Sequence, residues 1–524
     1  MAHFSTFCAL FALFFPCLYE NCFKLRVLSC LFLIVRAIFF HLPLHFAPIR
    51  GILTLNQYMR TGCVTMYQIH FERPIHIHFI GIGGISMSGL AEVLMEEHFT
   101  ISGSDSKSSP LTELLAAKGA QIYIGQSADN IRPDYDLVVY TAAIHEDNPE
   151  FARAKELGLP MLSRAELLGQ IMANYRSSIA VAGTHGKTTT TGMISALLMK
   201  ADADPTISIG GMLPLIGGNI RVGKSEIFLT EACEYTNSFL HFLPTIGIIL
   251  NIEEDHMDFF KDLDDIRSSF RRFAQLLPEK GLLIINSEIG NYQELTAGLS
   301  CRVVTCGLDP ADMYQAADIT YDTTACATFT LVKSGTPCCR VTLSVPGLHN
   351  VLNALTALAL ADELHISMET ACAGLAAFTG TDRRFQYKGE VQGFTVIDDY
   401  AHHPTEITAT LESARQYPHR EIWCVFQPHT YTRTKAFLSG FAKALSLADH
   451  VILADIYAAR EINTIGISSL DLLEELKKNG TDAYYFPTFS EIETFLLKKC
   501  LHGDLCITMG AGDVVNIAEN LLLK

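Results

Sequence analysis

Residues 183–191 read GTHGKTTTT and stand between an apolar run, SIAVA, and a helix-like stretch, MISALLM. A loop at such a strand-to-helix junction turns its backbone N–H groups toward one point, and that point attracts phosphate. Gly183 and Gly186 let the main chain come close, with Thr184 and His185 between them; Lys187 can neutralise phosphate oxygens, and the hydroxyls of Thr188 and Thr189 can reach Mg²⁺. The loop is a variant of the standard pattern, because Val181 occupies the place where GxxxxGK requires glycine. Truncating Lys187 is expected to cost turnover far more than stability.

Two acidic segments fall where apolar runs end: Glu231 closes IFLTEA, and His256 and Asp258 follow IGIILNIEEDHMD. The carboxyl ends of strands are where open α/β sheets bind ligands. Glu231 with the hydroxyl of Thr188 or Thr189 offers the hard oxygens that Mg²⁺ prefers. A histidine is a less natural magnesium ligand, and Asp258 is expected to orient His256 as an acceptor.

On the N-terminal side, FIGIGGISMSG carries Gly81, Gly83 and Gly84, with Ser86 where GxGxxG asks for its third glycine. Asp105 follows at roughly the distance at which a dinucleotide fold places an acid on a ribose hydroxyl. That pairing keeps an NAD-binding oxidoreductase open as a rival, one that leaves GTHGKT unexplained. On the C-terminal side, Arg433 in TYTRT has the fork geometry to hold a carboxylate.

Positioning these groups takes more than one domain. A chain of 524 residues exceeds the ~250 to 300 residues at which single cores stop growing. From Ile75 the chain alternates apolar runs with helix-like stretches, including 100–102, 111–118 and 136–140, which predicts a parallel doubly wound sheet. The pattern restarts at residue 177 and again after TGTDRRFQ. Between 325 and 345, ATFTLVKSG and CRVTLSV predict a hairpin; the helix after it, near 350–364, is expected to bury one face carrying Leu348, Leu352, Leu355 and Ala359.

Lys and Arg total 39 against 56 Asp and Glu, a net charge of −17. Such a chain repels phosphate backbones, which excludes nucleic acid as a partner. Fifteen cysteines show no paired metal spacing, so a reducing cytosol is expected. The first 65 residues differ: their apolar runs are too short, or interrupted by Arg36, for a membrane span, so no stable membrane insertion is expected. The first run has signal-peptide length without the usual positive start; translation beginning at Met66 fits the abrupt change best.

GTHGKTTTT, TEACEY, NIEEDHMD, LHNVLNAL, GTDRRFQY, IDDYAHHPTE and FQPHTYTRT, together with FIGIGGISMSGLAEVL, resemble the successive signatures of the Mur ligase family across nearly all of residues 75–515. The HHPTE and NIEEDHMD versions resemble its L-alanine-adding branch. The resemblance implies an α/β fold in three domains: Rossmann-like over 66–176, a central P-loop-type ATPase over 177–382, and Rossmann-like over 383–524. It implies ATP-dependent joining of L-alanine to UDP-N-acetylmuramic acid through an acyl phosphate, with ATP and two Mg²⁺ ions; a peptide- or glutamate-adding ligase is the alternative. It further assigns catalysis to Lys187, His256 and Arg383, adenine contact to Asn350 and Asn353, and the UDP part to Gly83, Gly84, Ser86 and Asp105. His256 becomes a metal ligand, Arg384 a contact of ATP or acyl phosphate. Asp399, Tyr400, His402 and Arg433 become the amino-acid pocket. Many relatives carry Arg where Thr430 stands, so Arg433 is expected to act alone.

Overall fold

The amino-terminal parallel sheet grows from a run, His76–Ile80, whose last four residues are buried on both faces, as strands covered on both sides must be. In this computed structural model, which describes residues 67–141 and 143–524, that run is β1. It is followed by β2 (Thr100–Asp105), β3 (Gln121–Ile124), β4 (Leu137–Tyr140) and β5 (Met161–Ser163), in spatial order β3-β2-β1-β4-β5. All neighbours are parallel. Helix α1 (Ile85–Glu96) leaves the glycine loop after β1, and α2 (Arg164–Met172) leaves β5 under a Ser163 capping box. The readings of residues 1–65 lie outside the described residues.

The middle sheet has ten strands: β6 (Ser177–Ala182), β7 (Thr206–Leu213), β8 (Gly218–Arg221), β9 (Ile227–Ala232), β10 (Ile246–Ile249), β11 (Leu282–Asn286), β12 (Arg302–Gly307), β13 (Tyr314–Tyr321), β14 (Cys326–Lys333) and β15 (Thr336–Pro346). Their order is β15-β14-β13-β12-β11-β10-β6-β9-β7-β8. The centre is parallel and the β13-β14-β15 edge antiparallel. The predicted hairpin is β14–β15, turning through Ser334 and Gly335, both at positive φ, as a type I′ connection requires.

Helix α3 (Lys187–Lys200) follows β6, and α4 (Leu348–Glu363) follows β15. The expected one-sided stripe of α4 is corrected. Leu348 is 43% exposed, while Val351 and the whole stretch 353–361 are buried. The helix is packed between α3, the helix Met368–Ala377 and strands β11 to β13, so it has no solvent face along most of its length.

The third sheet comprises β16 (Gln386–Val391), β17 (Phe394–Asp399), β18 (Ile422–Phe426), β19 (His450–Leu453), β20 (Asp482–Tyr485) and β21 (Leu505–Met509), in order β16-β17-β21-β18-β19-β20. Only the β16–β17 pairing is antiparallel. Four residues separate the end of β17 from helix α5 (Pro404–Gln416). Among the described residues the ten cysteines are all free, and no helix is long and apolar enough to cross a membrane.

Candidate active site

The loop between β6 and α3 has Gly186 at φ 82 as the N-cap of α3. A Cβ there would sit 3.0 Å from Asn353 Oδ1, so both backbone and space demand glycine. Asn251, two residues past the end of β10, pins the loop by accepting from His185 N–H at 2.8 Å and donating to His185 O at 3.0 Å. Lys187 Nζ donates to Gly183 O at 2.5 Å, Thr184 O at 3.0 Å and Glu234 Oε2 at 3.0 Å. Burial opposes its charge, yet Glu234 holds its pKa above the usual lysine value. Glu234, 2% exposed, was not singled out from TEACEY. Its pairing with Lys187 means that truncating the lysine strands a buried acid, so a stability cost accompanies the expected loss of turnover.

Thr188 Oγ1 donates to Glu231 Oε2 at 3.1 Å, and Gly210 N–H donates to Glu231 Oε1 at 2.5 Å. Burial pushes the Glu231 carboxyl above its usual range in spite of these donors and of Lys187. A half-buried acid so short of positive charge, beside a hydroxyl, fits a hard divalent cation. Thr189 instead lines a separate cavity with Asn350 and Asn353, so of the two threonines Thr188 is the one beside the acid. His256 Nε2 lies 3.7 Å from Glu234 Oε1 and 3.8 Å from Asp255 Oδ2. Burial lowers its pKa, which leaves a neutral ring with a lone pair for a cation. Asp258 does not orient it: Asp258 Oδ2 accepts from Tyr235 OH at 2.8 Å, and the Tyr235 ring stacks on His256 at 4.5 Å.

The cavity past the loop is lined by His185, Gly186, Thr189, Asn350, Asn353 and, from the turn before β16, Arg384. Asn350 is not an N-cap: Gly347 holds that place, and Asn350 Nδ2 donates to Pro346 O at 2.7 Å while its Oδ1 accepts from Asn353 at 3.1 Å.

Arg383 sits at φ 61. Its guanidinium donates to Asp398 Oδ2 at 3.0 Å, Gly512 O at 3.0 Å and Gly510 O at 2.6 Å. These bonds tie it to the loop after β21, while it borders the cavity that holds Lys187 and His256 and lies over the Tyr400 ring at 5.0 Å. Its neighbour Arg384 lines the cavities on both sides of the phosphate loop and lies over the Tyr400 ring at 5.2 Å. Asp399 is a brace: its oxygens accept from Phe385 N–H at 2.8 Å and Ala401 N–H at 2.7 Å, and burial pushes its carboxyl up to about 6. His402 Nδ1 is 3.0 Å from Tyr400 O and 3.2 Å from Glu406 Oε2.

Arg433 directs NH2 and Nε to Asp255 Oδ1, at 2.7 and 3.2 Å, so the carboxylate it holds is an internal one from the middle domain. Burial opposes charge on Asp255, but Arg433 and His256 keep it well below the usual carboxylate range. Thr430 takes positive φ and its N–H donates to Tyr457 O at 2.9 Å. Arg433, Thr430, His402, Tyr400 and His256 line one cavity.

In the first sheet, Asp105 Oδ2 accepts from Gly83 N–H at 2.9 Å, and a Cβ on Gly83 would lie 2.8 Å from that oxygen. Asp105 thus holds the glycine loop itself. Gly84, exposed, caps α1. Ser86 Oγ accepts from Arg164 NH1 at 3.2 Å. Arg164, the first residue of α2, was missed; burial lowers its pKa and no carboxylate offsets it among the described residues. Nothing in the spacing of RAELL points to it.

Three family models match in succession: "Mur ligase family, catalytic domain" over residues 76–176, "Mur ligase middle domain" over 181–361, and "Mur ligase, glutamate ligase domain" over 383–512. A UDP-N-acetylmuramate–L-alanine ligase of Agathobacter rectalis is 63% identical over 459 residues, covering 88% of this chain and 100% of its own. The protein of that name from Lachnospira eligens is 59% identical, with 87% and 100% covered. The crystal structure of a UDP-N-acetylmuramate-alanine ligase from Thermotoga maritima superposes with a TM-score of 0.70 at 31% identity, covering 86% of this chain and 98% of that one. A murein peptide ligase from Psychrobacter arcticus gives 0.62 at 28% identity, covering 86% and 98%.

Proposed function

This chain belongs to the Mur ligase family, and from that membership we infer its reaction: ATP-dependent joining of L-alanine to the lactyl carboxylate of UDP-N-acetylmuramic acid, a step of peptidoglycan precursor synthesis. The carboxylate attacks the γ-phosphorus of ATP and ADP leaves; the alanine amine then attacks the acyl phosphate, expelling inorganic phosphate and losing a proton. An NAD-dependent oxidoreductase would leave the phosphate loop without a use.

The observation that carries the ligase reading is one cavity in which Lys187, Thr188, Glu231 and His256 of the middle domain meet Arg384, Tyr400 and His402 of the third. A carboxylate attacking a triphosphate brings anions together, so positioned positive charge is the main requirement. Lys187 and Arg384 supply it. Glu231 with Thr188 would hold one Mg²⁺, and His256 with Glu234 a second; the ions supply further charge neutralisation and orient phosphate oxygens. Asn350, Asn353 and Thr189 line the space for the nucleoside, while Gly83, Gly84, Ser86 and Arg164 face the UDP part. His402 and Arg433 border the amino-acid pocket. The free cysteines fit a reducing cytosol.

Phosphate release measured with ATP, Mg²⁺, UDP-N-acetylmuramic acid and each of L-alanine, D-glutamate and a free tripeptide with an N-terminal L-alanine tests the reading. Release is expected with L-alanine. Release that needs the tripeptide instead would assign the chain to the peptide-adding branch, and release with neither would refute it.

A further inference from the structure

His185 is the one side chain of the phosphate loop that points to the third domain's helix α5. Its Nδ1 is 3.1 Å from Glu406 Oε1. A carboxylate on one ring nitrogen keeps a proton there and leaves the lone pair of the other nitrogen outward, which is how acids behind metal-bound imidazoles set their tautomer. That other nitrogen, His185 Nε2, is buried and has no hydrogen-bond partner. Facing it is His403, the N-cap of α5, 4% exposed, with its ring centre 4.8 Å from that of His185. His403 Nε2 is likewise buried and unpartnered. Glu253, on the loop after β10, completes the group: its Oε2 is 3.6 Å from His185 Nε2 and accepts a hydrogen bond from Thr405 Oγ1.

One ligand atom from each of His185, Glu253 and His403 lies within 4.8 Å of the others. We propose that these three residues form a site for a borderline-soft divalent cation, Zn²⁺ being the expected occupant, and that the ion clasps the middle domain to the third. Two imidazoles and one carboxylate are a common zinc ligand set with a position left open for water, whereas Mg²⁺ avoids imidazole. Donors at ~2.1 Å around a tetrahedral ion stand ~3.4 Å apart, so the widest separation among the three must close by up to about 1.4 Å. The contact given up is the long cap bond from Thr405 N–H to His403 Nδ1, 3.4 Å. Without an ion the two carboxylates hold a proton on His185; the ion takes its place at Nε2 and the proton passes to solvent.

His185 borders both cavities, but the magnesium positions lie apart from the clasp: Thr188, Glu231 and His256 line one cavity, and Glu253 lines the other, beside Asn350 and Asn353. Its ligands come from the phosphate loop, the loop after β10 and helix α5. Zn²⁺ therefore holds together two domains that must part to release product, and inhibition at zinc levels that fill the site is the functional consequence.

The test is equilibrium dialysis of the full chain against Zn²⁺ with Mg²⁺ in large excess, paired with visible absorption of the Co²⁺ form. Free cysteines also take up zinc, so the difference between parent and variants is the readout. His403→Asn keeps an N-cap, since Asn serves there well, and Glu253→Gln keeps the volume. Each is expected to bind one Zn²⁺ fewer per chain at concentrations that saturate the parent, with affinity down at least ~100-fold, and to lose the low-symmetry Co²⁺ bands. His256→Asn is expected to retain them. Equal uptake by parent and His403→Asn, or loss in His256→Asn with retention in His403→Asn, would overturn the proposal. Because no substrate is present, the result stands apart from that of the ligase assay.

Discussion

Removing the loop lysine separates two things that the geometry joins at one nitrogen. Lys187 is 15% exposed and Glu234 2% exposed, with 3.0 Å between Nζ and Oε2. Lys187→Ala leaves the Glu234 carboxylate buried, with His256 3.7 Å away as its nearest compensating base. Breaking a buried pair from one side costs ~3 to 5 kcal/mol, and protonation of His256 brings this to the low end, ~3 kcal/mol. For a unit the size of the middle domain each kcal/mol lowers the melting point by ~2 to 4 °C, so a fall of roughly 6 to 12 °C is expected. Adding Glu234→Gln removes the stranded charge, and the double variant should regain most of that loss. Turnover should not follow: a preorganised donor to developing charge is worth ~10² to 10³ in kcat, and the double variant still lacks it. Thermal unfolding followed by circular dichroism, beside phosphate release, reads both quantities. A Lys187→Ala protein melting within 2 °C of the parent (about 1 kcal/mol at most), or a double variant no more stable than the single one, refutes the argument.

Three further outcomes are expected. Arg383→Ala should lower the melting point through the loss of its bonds to Asp398, 0% exposed, and to two backbone carbonyls, by ~3 kcal/mol; Arg384→Ala should melt near the parent and lose kcat/KM, and the reverse pattern would exchange their roles. The carboxylates of Glu406 and Glu253 hold His185 up to about 9 against the opposing effect of burial. This raised pKa means that the contact's contribution is complete below pH 6.5 and disappears as pH rises through about 9, so metal-free protein should lose melting temperature over that window, and Glu406→Gln should flatten the loss. Arg164→Met should raise KM for the UDP substrate by roughly 10- to 100-fold, the value of a charge-assisted hydrogen bond, without lowering the melting point; an unchanged KM would remove Arg164 from the substrate site.

What could be read from the sequence was what one stretch of chain decides alone. GTHGKTTTT carries its own turn, glycines and helix start, so its junction between β6 and α3 follows from local pattern; the β14–β15 hairpin likewise turns on Ser334 and Gly335. Glu231 was accessible because it ends a strand. Glu234 was not, since only the fold brings it to Lys187, 47 positions away. The same holds for Arg164 beside Ser86, 78 positions apart, and for Asp255 beneath Arg433, 178 apart. The two adjacent arginines show the limit best: RR marks a charged junction, but only the fold shows that Arg383 is bonded to Asp398 and the loop after β21 while Arg384 lies against Glu406. The face of α4 was misread for a related reason, because helical periodicity cannot tell a half-buried helix from one enclosed on nearly every side.

The cations of this site are not free for substrate. Lys187 is held by Glu234, Arg433 by Asp255, and Arg384 lies 3.7 Å from Glu406. An incoming phosphate or carboxylate must therefore exchange places with an internal acid, and the net gain is the difference between two ion pairs, not the value of one. Such an exchange favours a ligand that also brings positive charge for the displaced acid. A triphosphate arriving with magnesium does so: the anion takes Lys187, and the cation takes Glu234, which already faces His256. A bare anion of similar size leaves Glu234 buried and unpaired. Coupled replacement of this kind makes the metal a condition of phosphate binding as well as of the chemistry, and it predicts that Glu234→Gln should bind ATP without Mg²⁺ more tightly than the parent does, while binding the magnesium complex less tightly.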